Sequence, residues 1–163
     1  MYDIIIIGAG PAGLTSAIYA RRALKKVLVL EALSYGGQII NTLDIENYPS
    51  LSHISGFDFA TNLYNQAKDL GTEIIFEKVI GIKNNKKEKK VITNNNTYKT
   101  KTIIIATGSS NRKLGITDED KLIGRGISYC ATCDGAFYKS RDVAVEGGGN
   151  TAVEDAIYLA DIA

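Results

Sequence analysis

Ile4-Ile5-Ile6-Ile7-Gly8-Ala9-Gly10-Pro11-Ala12-Gly13 stands three residues into the chain, and its reading decides the fold. Four consecutive β-branched residues suit a strand buried on both faces of a parallel sheet. The strand runs straight into a glycine turn, then a helical stretch over residues 14–24, then a second buried strand at 27–30 that ends on Glu31. Each part has a physical task. Gly8 permits the tight turn, Gly10 lets a pyrophosphate approach the backbone, and Gly13 lets the helix pack closely on the strand. The helix N-terminus offers free N–H groups to phosphate. Glu31 lies 18 residues past Gly13, where a carboxylate can accept hydrogen bonds from ribose hydroxyls. Strand, turn, helix, strand and acid together predict an α/β dinucleotide-binding unit.

The pattern continues outward. Residues 57–70 carry Phe59, Leu63, Ala67 and Leu70 at helical spacing, and Gly71 stands where a helix stops. β patterning follows at 73–82 and 90–93. Residues 101–106 form one more expected buried strand, opening into Thr107-Gly108-Ser109, a candidate second contact with the same nucleotide. Ser34-Tyr35-Gly36-Gly37-Gln38 reads either as a close-approach loop for a ligand or as an ordinary surface loop. Glu46-Asn47-Tyr48-Pro49 is a turn with hydrogen-bonding side chains. The basic, Asn-rich run at 83–90 reads as a solvated hairpin tip rather than a nucleic-acid site.

Beyond Gly108 the chain is polar and turn-rich to Asp120, as expected of a linker. The opening unit then returns: residues 142–152 repeat residues 3–13 at an offset of 139, and Ala17-Ile18-Tyr19 recurs as Ala156-Ile157-Tyr158. Ala152 replaces the third glycine, a size change this fingerprint tolerates. Glu146 breaks the repeat where the first copy has Ile7, at the expected strand end. A carboxylate there impairs the second site or turns toward a cation or solvent.

Just before that second copy lies Cys130-Ala131-Thr132-Cys133, which holds both cysteines of the 163-residue chain. A C-x-x-C pair can close a small disulfide ring, contribute to a zinc site or fill a core. Zinc needs four ligands, and the one histidine, His53, is far away in sequence, so redox use is favoured and no metal is expected. Charge is nearly balanced, 19 basic against 18 acidic residues, which gives no general attraction to nucleic acid or a membrane surface. No signal-peptide pattern precedes the first strand, and no apolar run is long enough to span a bilayer. A dithiol in such a chain points to a reducing, cytoplasmic compartment.

These motifs together, with Ala106-Thr107-Gly108 and Cys130-Ala131-Thr132-Cys133-Asp134-Gly135 the most telling, resemble the bacterial low-molecular-weight thioredoxin reductases over the whole chain. The resemblance implies an α/β fold. A Rossmann-like FAD-binding domain of three-layer ββα character would occupy 1–112, and the start of a second Rossmann-like NAD(P)H-binding domain 113–163. It implies FAD contacts from Gly8, Gly10, Pro11, Ala12, Gly13, Glu31, Gly36, Gly37, Gln38, Asn47, Val79, Thr107 and Gly108. It places Gly147, Gly149, Asn150, Thr151 and Ala152 at an NADPH site. Cys133 would face the flavin, Cys130 would attack the disulfide of thioredoxin, and Asp134 would move the proton. A homodimer is implied as well. Such chains run well past residue 163, so this one is expected to be an N-terminal piece whose second domain has too few strands to bury a core. The alternatives are a ferredoxin-dependent reductase of the same fold, a reductase feeding a peroxiredoxin, and an inactive nucleotide-binding fragment.

Overall fold

The computed structural model describes residues 1–85 and 88–163. The chain forms two compact units: Met1–Glu46 with His53–Ser110, and Asn47–Ser52 with Asn111–Ala163.

The first unit is built on β1 (Tyr2–Ile7), α1 (Pro11–Arg22) and β2 (Val27–Glu31), the strand–helix–strand order expected from the sequence. β1 pairs in parallel with β2, Ile7 opposite Leu30. α2 (Gly56–Asp69) then leads to β3 (Glu73–Phe76), which lies parallel on the far side of β2. β4 (Val79–Asn84), β5 (Lys89–Thr93) and β6 (Thr97–Ile105) follow, and the six strands lie in the order β3-β2-β1-β6-β5-β4. β6 serves two partners. Its first half pairs antiparallel with β5, and its second half runs parallel with β1, Ile7 opposite Ile105.

The isoleucine run is buried on both faces because each face has a cover. Ile6 packs with Leu14, Ala17 and Ile18 of α1 and with Ala67 of α2. Ile5 and Ile7 pack with Leu28, Leu30 and Val91, and Val79 and Tyr98 lie against them, so the antiparallel strands curl over the second face. Helices, parallel sheet and antiparallel strands make three layers. Each fully buried isoleucine contributes roughly 1.5–3 kcal/mol.

Local chemistry fixes the ends of the helices. Pro11 occupies the first helical position of α1, where its missing N–H costs nothing. α2 starts one residue earlier than its apolar spacing suggests, because Ser55 caps it: the Ser55 hydroxyl accepts the Asp58 N–H at 3.0 Å. Arg21 of α1 donates to the Leu70 carbonyl at 2.9 Å, tying the ends of the two helices together.

Three expectations need correction. The β stretch at 73–82 is not continuous, because the chain leaves the parallel sheet at Glu77-Lys78 and re-enters as the antiparallel β4. Glu77 makes that break possible. Only 9% exposed, it accepts hydrogen bonds from Thr93 Oγ1 (2.6 Å), Asn96 Nδ2 (2.7 Å) and Tyr98 OH (3.1 Å). The end of β6 is not buried: Ile105 is 68% exposed, because no described residue covers its outer face. Finally, residues 142–146, the repeat of β1, form no strand, and Val143 and Val145 are each 40% exposed. A strand needs neighbours to pair with, and no described strand lies beside this segment. Of the expected hairpin tip, Lys86 and Lys87 lie outside the described residues.

The Glu77 contacts predict a pH effect. The Thr93 hydroxyl first, then Asn96 and Tyr98, hold the Glu77 carboxyl below the usual carboxylate range. Its contribution is therefore present above that range and lost as pH falls through the depressed value. Glu77→Gln should be less stable than the parent near neutral pH, with the gap closing below about pH 4. Urea unfolding of both proteins across that range measures it, and a gap that stays constant with pH would count against the assignment.

The second unit contains α3 (Glu119–Leu122), α4 (Ala131–Asp134), a 3-10 turn over Gly135–Tyr138 and α5 (Asn150–Ala160). Ala131 is its one buried apolar residue among those described. Gly135 is buried where the 3-10 turn meets α5, and a Cβ there would press on Leu159 and Tyr158 at 3.2–3.3 Å. Glu119, 5% exposed, accepts from the Leu114 and Gly115 amides and from the Tyr129 hydroxyl. The tyrosine contact is the largest cause holding its carboxyl below the usual range.

Candidate nucleotide and redox sites

At the C-terminal ends of β1, β2 and β6 three loops converge. Gly8 sits at φ 106°, and a Cβ on it would strike the Ala106 carbonyl at the end of β6. Gly13 lies so close to Gly8 that a Cβ would meet the Gly8 carbonyl carbon at 3.0 Å. Gly36 donates its N–H to the Ala9 carbonyl at 2.8 Å, drawing the second glycine loop onto the first. Gly10 and Gly37 then face each other backbone to backbone, a Cβ on Gly37 lying 3.3 Å from Gly10 Cα. Gln38 Nε2 donates to the Ser109 carbonyl at 2.7 Å, which ties in the loop containing Thr107 and Gly108. Gly8 to Gly13, Gly36 to Gln38 and Thr107-Gly108 are thus brought together on a glycine-rich floor.

Two observations test this floor against a dinucleotide. No side chain caps α1 at Gly10, and its first turn carries no acid, so the opening N–H groups are left for an anion. Glu31 accepts the Ala9 amide on one oxygen (2.8 Å) and the Ala32 and Leu33 amides on the other (2.7 and 3.0 Å). A carboxylate has about four acceptor positions, so one remains for a ribose hydroxyl. The residues fit the phosphate and ribose of a dinucleotide. Val79 lies apart from the floor, half-buried at the start of β4 against the second core cluster. Asn47 belongs to the other unit, where its amide reaches the Thr132 carbonyl at 3.5 Å.

In the second unit Cys130 and Cys133 are joined by a disulfide, with Cα atoms 5.3 Å apart. The first turn of α4 makes this reach natural: the Cys133 and Asp134 amides both donate to the Cys130 carbonyl, at 3.2 and 3.0 Å. Cys133 is exposed and Cys130 half-buried. Cys130, Ala131 and Asp134 line an open cleft of about 570 Å³ together with Glu146, Gly147, Gly149 and Thr151 of the repeated glycine loop. α5 begins at Asn150 with Gly149 as an uncapped N-terminal residue, as α1 begins after Gly10. A Cβ on Gly147 would lie 2.8 Å from the Ala152 methyl, so this turn is already close-packed. Glu146 is exposed and borders this same cleft. His53 takes no part here, its Nδ1 lying 2.8 Å from Asp44 Oδ2.

The sequence reading did not find Ser128. Its hydroxyl donates to Asp134 Oδ2 at 2.6 Å and accepts the Cys130 amide at 3.0 Å. Its one sequence signal is a serine two places before the first cysteine.

The chain thus carries a parallel glycine-turn unit, a second copy of its turn and helix, and a disulfide-bonded cysteine pair just before that copy. The family profile described as pyridine nucleotide-disulphide oxidoreductase matches residues 2–163, and the chain belongs to that family. Within it, the chain is similar to the thioredoxin reductase of Listeria monocytogenes, 47% identical over 159 residues that make up 98% of this chain and 50% of that one. It is 43% identical to the thioredoxin reductase of Bacillus subtilis, again over 98% of this chain and 50% of that protein. The crystal structure of thioredoxin reductase from Streptococcus pyogenes is 48% identical and superposes with a TM-score of 0.95, over 99% of this chain and 53% of that one. The chain spans about half the length of the curated relatives it matches.

Proposed function

We propose that the protein to which this chain belongs is a flavin-dependent thioredoxin-disulfide reductase, passing electrons from NADPH through FAD to the Cys130–Cys133 disulfide and on to thioredoxin. The carrying observation is the disulfide itself, set in a cleft wall shared with the second glycine loop. FAD supplies the two-electron link between nicotinamide and disulfide when bound. Gly8 to Gly13, Glu31, Gly36 to Gln38 and Thr107-Gly108 hold it, with Asn47 and Val79 as further contacts. Gly147, Gly149, Asn150, Thr151 and Ala152 take the NADPH pyrophosphate at the start of α5. In this reading residues 1–112 make up the FAD-binding part and residues 113–163 the start of the NADPH-binding part.

Reduction breaks the Cys130–Cys133 bond and takes up two electrons and two protons. The dithiol then returns both to the disulfide of thioredoxin, whose potential is near −270 mV. Cys130 is the attacking thiol, Cys133 the one facing the flavin, and Asp134 the group that carries the proton. A cytoplasmic homodimer acting on thioredoxin, with neither nucleic acid nor membrane as partner, completes the reading. Among the described residues no helix is long and apolar enough to cross a membrane.

Glu146, exposed on the second glycine loop, favours one competing reading: a reductase of this fold that draws on ferredoxin. Anaerobic titration of the full-length flavoprotein separates the two. Bleaching of the flavin by NADPH, followed by turnover of thioredoxin, is the expected result; bleaching by reduced ferredoxin alone selects the competitor. The 163 residues by themselves are expected to show no NADPH-dependent disulfide reduction. Turnover by the purified piece, abolished in its Cys130→Ser variant, would overturn that expectation.

A further inference from the structure

We infer that Ser128 is a positioning residue for disulfide exchange, holding the Asp134 carboxylate onto Cys130; the inference rests on the thioredoxin-directed reading above. A serine hydroxyl has one proton and two lone pairs. At Ser128 the proton goes to Asp134 Oδ2 at 2.6 Å, and a lone pair receives the Cys130 N–H at 3.0 Å. The Cys130 carbonyl, 3.3 Å from the same hydroxyl, is the more distant acceptor and already takes the Cys133 and Asp134 amides. Asp134 is therefore fastened to Cys130 twice, through its own backbone N–H and through its side chain by way of Ser128. The Ser128 contact is the one side-chain hydrogen bond Asp134 makes among the described residues. Both side chains are half-buried, and Asp134 borders the open cleft. Without the hydroxyl, the carboxylate keeps its backbone tether and loses its aim.

The step it serves is balanced as follows. Cys130 gives its proton to Asp134 and attacks one thioredoxin sulfur. The thioredoxin S–S bond breaks, a mixed disulfide forms, and the leaving thiolate takes the proton from Asp134. Cys133 then gives its proton to Asp134 and attacks the Cys130 sulfur. The Cys130–Cys133 bond re-forms and the second thioredoxin thiolate takes that proton. Two electrons and two protons pass from dithiol to thioredoxin. Asp134 acts in each half and must face the exchanging sulfurs each time.

The test is a double-mutant cycle in the full-length holoenzyme. Ser128→Ala should lower kcat for thioredoxin about tenfold, with KM for thioredoxin and the rate of flavin reduction by NADPH within about twofold of the parent. Ser128→Thr, which keeps a hydroxyl, should restore most of kcat. Asp134→Asn should cost more, and adding Ser128→Ala to it should cost nothing further. Equal losses in both backgrounds, an unchanged kcat in Ser128→Ala, or no restoration by threonine would each overturn the inference. A parent holoenzyme inactive on thioredoxin overturns instead the functional reading. The Ser128 inference is then decided by iodoacetamide alkylation of reduced Cys130, which Ser128→Ala should alter and Asp134→Asn should make insensitive to residue 128.

Discussion

Replacing Cys133 by serine in the full-length flavoprotein is expected to remove thioredoxin-disulfide reduction by roughly 10³-fold or more, because residues that act as a unit fail together. The two cysteines are a single device: they are joined by a disulfide across one turn, and the Cys133 amide is bound to the Cys130 carbonyl at 3.2 Å. A serine cannot store electrons as a sulfur–sulfur bond. The glycine floor lies in the other unit and is untouched by the substitution. On the proposed electron path the variant should therefore bind flavin and be bleached by NADPH to the same extent as the parent, yet deliver nothing to thioredoxin. Stopped-flow absorbance of the flavin beside a steady-state thioredoxin assay reads both halves. Thioredoxin turnover near the parental rate would show that electrons leave by another route.

The second large effect belongs to Gly13. Its position where α1 meets the turn leaves no room for a side chain, since a Cβ would press on the carbonyl group of Gly8. The obstacle is backbone, so no rotamer relieves it. Gly13→Val must push α1 away from β1 and loosen Leu14, Ala17 and Ile18 from Ile6. A cost of about 3 kcal/mol or more is expected, with loss of bound flavin. Gly10 gives the control. A Cβ there comes no nearer than 3.9 Å to the described atoms, at Gly37 Cα, yet adds a methyl between the two glycine loops expected to hold the dinucleotide. Gly10→Ala should keep the parental urea midpoint and still lose flavin. Flavin absorbance per mole of protein and urea unfolding measure the pair, and equal stability of Gly13→Val and the parent would refute the packing argument.

What could be read from sequence divides along one physical line. β1, α1 and β2 were legible because their signals are local: a β-branched run, three glycines, an acid at a set distance. The same holds for α2, although its cap, the Ser55–Asp58 pair, lies just outside the apolar spacing that marks the helix. Features that depend on distant partners were not legible. Glu77 looks like any acid in a β stretch until Thr93, Asn96 and Tyr98 close around it. Residues 142–146 copy the letters of β1 but not its neighbours, and without paired strands they remain irregular. Ser128 carries no motif of its own, and only the fold of α4 discloses what its hydroxyl touches.

The double pairing of β6 also bears on how the chain is made. β1 leaves the ribosome well before its partner, since one of its two edges is completed only by Thr100 to Ile105. At about 5–20 residues per second, that partner arrives some 5–20 s later. Through that interval β1 can pair with β2 alone, and an apolar strand edge stays open to other chains. Closing so distant a pair is intrinsically slow. Nascent chains stalled before residue 100 are therefore the species most in need of a chaperone.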